Sequence, residues 1–162
     1  MTRRQMIERG VTAEAFAPFG ALIDKPALSG ERAFYSRWLG GDASLAPVFH
    51  VNRVPATRLP SAIARLEHHP HAAQAFVPLD VSRYLVTVAP SLGDGGPDLG
   101  GLRSFELPAT MGVIYAPGVW HAGATVLDRE GSFAVLMWRG APDDDVFISI
   151  DPVDLVDERI AA

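Results

Sequence analysis

The chain has 162 residues, 48% of them hydrophobic and 20% charged, which favours one domain over 1–162 with ample material for a core. A net charge of −5 argues against nucleic acid, whose phosphates need a basic face, and against an anionic membrane surface. With no cysteine there is neither a disulfide framework nor a thiolate metal site, which fits a reducing cytoplasm. Arg3-Arg4 is not followed by an apolar stretch, so it does not read as an export signal. No apolar run approaches the roughly 18 residues of a membrane span.

Thr12 to Ala17 reads as one helical turn, with Thr12 as N-cap and Pro18 behind it. Phe19 to Asp24 is a first strand and Ala33 to Leu39 a second, by alternation. Val48 to Val54 is a stronger strand, with Phe49, Val51 and Arg53 sharing a face. Pro60 to Glu67 carries the best helix signal: Pro60 suits the first helical position, and Leu59, Ile63 and Leu66 follow spacings of four and three. That helix would deliver His68, His69 and His71 into a tight connection at Pro70. Ala75 to Leu79 and Arg83 to Ala89 follow as strands, Pro78 suggesting an edge or bulge in the first.

Pro90 to Gly101 is a Gly- and Asp-rich loop, long enough to suggest a lid or site wall. Leu102 to Leu107, Gly112 to Ala116 and Trp120 to Asp128 are strands. Pro117-Gly118 is a turn signal, so Gly112 to Asp128 reads as a hairpin whose second strand opens with His121. Ser132 to Arg139 is a continuous apolar run, a strand buried on both faces; Asp143-Asp144-Asp145 is a solvated acidic turn; Val146 to Ile150 is a last strand. Many short strands with one or two short helices make an all-β chain, a sandwich or a barrel-like jelly roll.

The five histidines are the chemistry to explain: His50, His68, His69, His71 and His121. Neutral imidazole serves both acid–base catalysis and metal binding near pH 7. Gly-x4-Pro-Gly-x2-His at Gly112 to His121 resembles the second conserved motif of the cupins. The segment Glu67 to Leu79 stands where that family has its first motif, with Gln74 at the position of a carboxylate. On this resemblance the fold is a cupin-like double-stranded β-helix, a jelly-roll barrel. His69, His71, His121 and Gln74 could then hold a divalent ion such as Ni or Zn, or no cofactor is required. His69 and Gln74 differ by an odd number, so on one regular strand they would face opposite sides; a shared site needs a bend at Pro70.

A longer series is more specific. Leu66-Glu67-His68-His69-Pro70 with Gln74 to Leu79, Glu14 to Gly20, Pro97-Asp98-Leu99 with Leu102-Arg103 and Phe105, Tyr115 with Val119-Trp120-His121, and Arg139-Gly140 with Asp144-Asp145 together resemble the ureidoglycolate lyases. That resemblance implies a cytoplasmic, usually homodimeric C–N lyase acting late in purine (allantoin) breakdown, releasing urea and glyoxylate from ureidoglycolate. It implies His69 and His121 as base and acid, Gln74 on the urea group, Arg103 or Arg139 on the substrate carboxylate, Tyr115 as a donor and Trp120 as a pocket wall. The competing expectations are a metal-dependent cupin, an oxygenase or isomerase of another small acid, and a non-catalytic small-molecule-binding jelly roll.

Overall fold

In the computed structural model residues 2–159 are described. Thirteen strands and one helical turn are formed among them: β1 (Arg3–Glu8), α1 (Ala13–Phe16), β2 (Gly20–Ile23), β3 (Ala46–Val54), β4 (Ala56–Thr57), β5 (Ser61–His68), β6 (Gln74–Pro78), β7 (Arg83–Ala89), β8 (Arg103–Pro108), β9 (Gly112–Tyr115), β10 (Trp120–His121), β11 (Thr125–Leu127), β12 (Gly131–Arg139) and β13 (Val146–Val156). The all-β jelly-roll expectation holds. Thr12 caps α1 as expected, its Oγ1 accepting from the Ala15 N–H at 3.1 Å. No helix among the described residues is long and apolar enough to cross a membrane.

The strands form two sheets. One has the order β2-β9-β6-β12-β3; the other runs β10-β5-β13-β1-β8-β7-β11-β4. Strand β10 also pairs with β7, so β5, β13, β1, β8, β7 and β10 close into a ring. Between the two sheets lies a core built on Phe16, Phe105, Phe133, Val88 and Val135, all nearly inaccessible to solvent. Each such side chain contributes about 1.5–3 kcal/mol on burial. A second cluster around Leu66, Ala89, Trp120 and Val153 packs on the opposite face of the ring strands.

Four expectations need correction. Pro60 to Glu67 is strand, not helix: β5 pairs antiparallel with β13, and the register shifts between Ser149 and Val153 opposite residues 63–65. That irregularity twists the strand, so Ile63 and Leu66, three apart, pack against the same cluster and imitate helical spacing. Ala33 to Leu39 forms only a 3-10 turn at Ser36–Trp38; Tyr35, Trp38 and Leu39 lie over the outer face of β9 and β6 instead of joining a ladder. Pro78 does not mark an edge strand, because β6 sits between β9 and β12 and merely ends at Pro78.

The fourth correction bears on the site. Strands β9 and β10 are not a hairpin: β9 pairs with β2 and β6, while β10 pairs with β5 and β7 in the other sheet. The Pro117-Gly118 turn carries the chain across the gap between sheets. Gly118 has φ of +78°, which a side chain would resist, and its N–H donates to the His69 carbonyl at 2.9 Å. The last residue of β9, Tyr115, and the last of β10, His121, therefore meet between the sheets.

Candidate active site

His121 is held at both ends. Its backbone lies between β5 and β7, opposite Glu67 on one side and Val88 on the other. Its ring stacks on Tyr115, with centroids 4.1 Å apart and planes 10° from parallel. Its Nδ1 lies 2.9 Å from the Val119 carbonyl, an oxygen that can only accept, so Nδ1 carries the proton and Nε2 carries the lone pair.

His69 comes from the connection after β5, which ends at His68. The parity objection to pairing it with β6 therefore lapses, since it is no longer on a regular strand. Its Nδ1 faces acceptors too, the Asp145 carboxylate at 2.9 Å and the Asp144 carbonyl at 3.1 Å. Its Nε2 is left as a second lone pair. The two rings lie 5.2 Å apart between centroids.

Glu67, opposite His121 on β5, completes the group. Ligand atoms of Glu67, His69 and His121 all lie within 4.8 Å of one another. The His121 Nε2 to Glu67 Oε1 distance is 3.6 Å, too long for a hydrogen bond, and both histidine Nε2 atoms are buried without a partner. Burial alone would raise the Glu67 carboxyl, but the contact with His121 and the positive charge that His121 or His69 carries once protonated at Nε2 outweigh it and hold it below the ordinary range. Two buried lone pairs facing a half-buried carboxylate call for positive charge among them, as a shared proton or a cation. Two imidazoles and one carboxylate suit a divalent metal ion of the Zn or Ni kind.

Behind this group stand the remaining polar residues. Arg139 donates to Asp145 through two bonds, at 2.7 and 3.0 Å, so it steadies the carboxylate that fixes His69. Gln74 is buried beside Met137, its Nε2 donating to Sδ at 3.6 Å and its Oε1 unpartnered. Burial first, and then the charge of Glu67, push the Tyr115 phenol above its ordinary value, so it stays protonated as a donor.

Three residues expected at the site are placed elsewhere. His71 does not join the other donors; its ring reaches Asp143 at 2.8 Å and Asp42 at 3.5 Å near the surface. Arg103 is on β8, two strands from β10, and both its terminal arms are used: Glu8 accepts from Nε and Nη2 at 2.9 and 2.5 Å, Ala15 carbonyl from Nη1. Trp120 alternates with His121, so it faces the opposite side, stacked on His68 at 4.1 Å with its N–H on the Gly95 carbonyl. The Pro90 to Gly101 loop is therefore fastened over Trp120 and does not wall the imidazoles. Conversely, Glu67 and Asp145 were not picked out by spacing. Glu67 stood next to the histidine cluster in the sequence, and Asp145 looked like part of a solvated turn. Asp144 does behave as a turn residue, accepting from the Gly140 and Ala141 N–H groups.

A family model described as ureidoglycolate lyase matches residues 3–153. The chain belongs to the ureidoglycolate lyase family. Within the family it is similar to a ureidoglycolate lyase of Burkholderia cepacia, 41% identical over 84% of this chain and 80% of the relative. A putative ureidoglycolate lyase of Agrobacterium fabrum is 34% identical, with 81% of each covered, and one of Stutzerimonas stutzeri 33% identical over 92% and 93%. Among solved structures, RmlC from Streptococcus suis aligns with a TM-score of 0.45 at 14% identity, over 82% of this chain and 56% of that one. The architecture given above rests on the strand pairing itself.

Proposed function

We infer that the chain cleaves ureidoglycolate to urea and glyoxylate. The observation that carries this is the cluster of half-buried Glu67 with buried His69 and His121 within a chain matched to the ureidoglycolate lyase family over residues 3–153. Ureidoglycolate is a carbinolamide with a carboxylate. Its cleavage removes the hydroxyl proton, lets those electrons form the carbonyl, breaks the C–N bond and returns a proton to the departing nitrogen. A base and an acid suffice, and an imidazole can be either.

In this reading Nε2 of His121 or His69 takes the hydroxyl proton, and the other imidazole, or Glu67, supplies the proton to urea nitrogen. Tyr115 holds the His121 ring by stacking, and Asp145 with Arg139 fixes the His69 tautomer. Gln74 presents amide donors and an acceptor to the urea end. If a divalent cation is bound, Glu67, His69 and His121 would hold it, and it would supply Lewis-acid polarisation of the substrate oxygen.

The partner in this reading is a second copy of the chain. Phe49 and Val51 on β3 and Val77 on β6 stand on one exposed face of the five-stranded sheet, an apolar patch suited to a homodimer. Setting and pathway follow the same reading: a cytoplasmic step late in allantoin breakdown.

The test is an assay of urea and glyoxylate from ureidoglycolate by purified protein, with and without a chelator, alongside elemental analysis. His121→Ala should remove turnover. Wild-type activity in that variant, or stoichiometric metal with no urea released, defeats the reading.

A further inference from the structure

Neither arginine expected to receive the substrate's carboxylate is free to do so. Arg139 is forked onto Asp145 and Arg103 onto Glu8. A substrate carboxylate at either would have to displace a carboxylate already bound in the same two-pronged geometry, with no net gain of charge pairing.

A cavity of about 240 Å³ opens directly on Glu67, lined also by Arg65, Leu66, Gly123 and Phe147. It is small, below the usual ligand-pocket range of about 300–1,000 Å³, as suits a small acid. Arg65 precedes Glu67 by two on β5, so both side chains leave the same face of the strand, about 6–7 Å apart at the backbone. Phe147 pairs opposite Glu67 on β13, and the Arg65 guanidinium lies over its ring, 3.9 Å from the centroid. The guanidinium carbon sits over the ring, and none of its N–H groups has a hydrogen-bond partner among the described residues. Arg65 is the one cation lining the cavity, and among the described residues no carboxylate lies within ion-pair distance of it.

We propose that Arg65, braced on Phe147, is the carboxylate anchor of the site and sets its preference for an acidic substrate. The proposal rests on the lyase reading. With the carbinol carbon beside Glu67 and His121, a carboxylate one bond further on points along β5 toward Arg65. The fork then binds it through two N–H groups, and the carbinol hydroxyl is turned toward the imidazoles. Glu67, an anion at the same cavity, adds a repulsive element that only a cation opposite can offset, which makes Arg65 decisive for an anionic substrate.

Two substrates separate the anchor from the chemistry: ureidoglycolate, and hydroxymethylurea, which has the same carbinolamide but no carboxylate. In Arg65→Gln, kcat/KM for ureidoglycolate should fall about 10- to 100-fold, mostly through KM, while hydroxymethylurea is unaffected. Oxalurate, an unreactive acidic analogue, should lose inhibition by the same factor. Arg65→Lys should fall between the two, keeping the charge but losing the fork. Phe147→Leu should cost a few-fold for ureidoglycolate only. Circular dichroism controls for folding, and if Arg65→Gln does not fold the Lys and Leu variants decide. An equal loss on both substrates, or unchanged oxalurate inhibition, overturns the anchor while the lyase reading stands. Wild-type protein that releases urea from neither substrate overturns both.

Discussion

Asp145 receives three contacts: Arg139 donates at 2.7 and 3.0 Å, and His69 Nδ1 lies at 2.9 Å. In Asp145→Asn one acceptor oxygen becomes an NH2 donor and the negative charge disappears. The amide can keep its oxygen on His69 and turn its NH2 against Arg139, which then swings toward solvent; or it can face His69 with NH2 and force the imidazole proton to Nε2. Either way the lone pair at Nε2 is weakened or lost. The Asp144 carbonyl, 3.1 Å from the same Nδ1, retains part of the tautomer preference. Loss of an orienting partner behind a reactive or metal-binding histidine costs about 10- to 100-fold, and the second acceptor argues against more. Stability should change little, because the Arg139 side chain is 38% exposed and such a pair contributes at most about 1 kcal/mol. That corresponds to a melting shift of about 2–4 °C in a chain of this size. The assay is kcat/KM for urea release beside a thermal melt, with Arg139→Gln as control, since it removes the ion pair but leaves the carboxylate facing His69. Asp145→Asn within twofold of wild type, or equal losses in both variants, would refute the argument.

Glu67→Gln keeps the shape but removes the anion facing two lone pairs; turnover should fall about 10²- to 10⁴-fold and uptake of added Ni or Zn should weaken, and wild-type turnover would remove Glu67 from the site. Gly118→Ala meets nothing within 4 Å of the added Cβ, so its cost is the positive φ alone, about 1–2 kcal/mol, read as a lowered melting temperature; an unchanged melt contradicts this. Asp157 is buried, and hydrogen bonds from Arg159 and then Arg9 hold its carboxyl well below the ordinary carboxylate range. A depressed folded value means its stabilisation is whole above about pH 4, the unfolded value, and is lost as pH falls below that. Urea midpoints of Asp157→Asn should therefore lie below wild type at neutral pH and converge with it in acid; a gap that does not depend on pH would show that the charge is not the cause.

Much of the fold was legible because short alternating runs and Pro/Gly turns leave few options. Val48 to Val54, Arg83 to Ala89 and Ser132 to Arg139 fall within β3, β7 and β12. That the rings of His121 and His69 come together was legible in part, because Pro117-Gly118 fixes where the strand starts and Pro70 ends regular structure next to His69. The misreadings share a cause. Pro60 to Glu67 was read as helix because a local spacing cannot reveal a bulge that only the pairing of β5 with β13 creates. Trp120 was put in the pocket on the family resemblance, although strand alternation sends it to the face opposite His121.

The sequence by itself determined which side chains were available: imidazoles beside tight turns, several carboxylates and arginines, and strands enough to hold them. Which of these face one another was decided by the tertiary structure. The turn after β9 switches sheets, so Tyr115 and His121 stack; the pairing of β5 with β10 sets Glu67 against His121, and the Gly140–Asp145 turn folds back onto His69. The last two contacts join residues far apart in the chain, the first depends on a turn that crosses between sheets, and the register and sheet crossing that set all three are encoded by no short-range pattern.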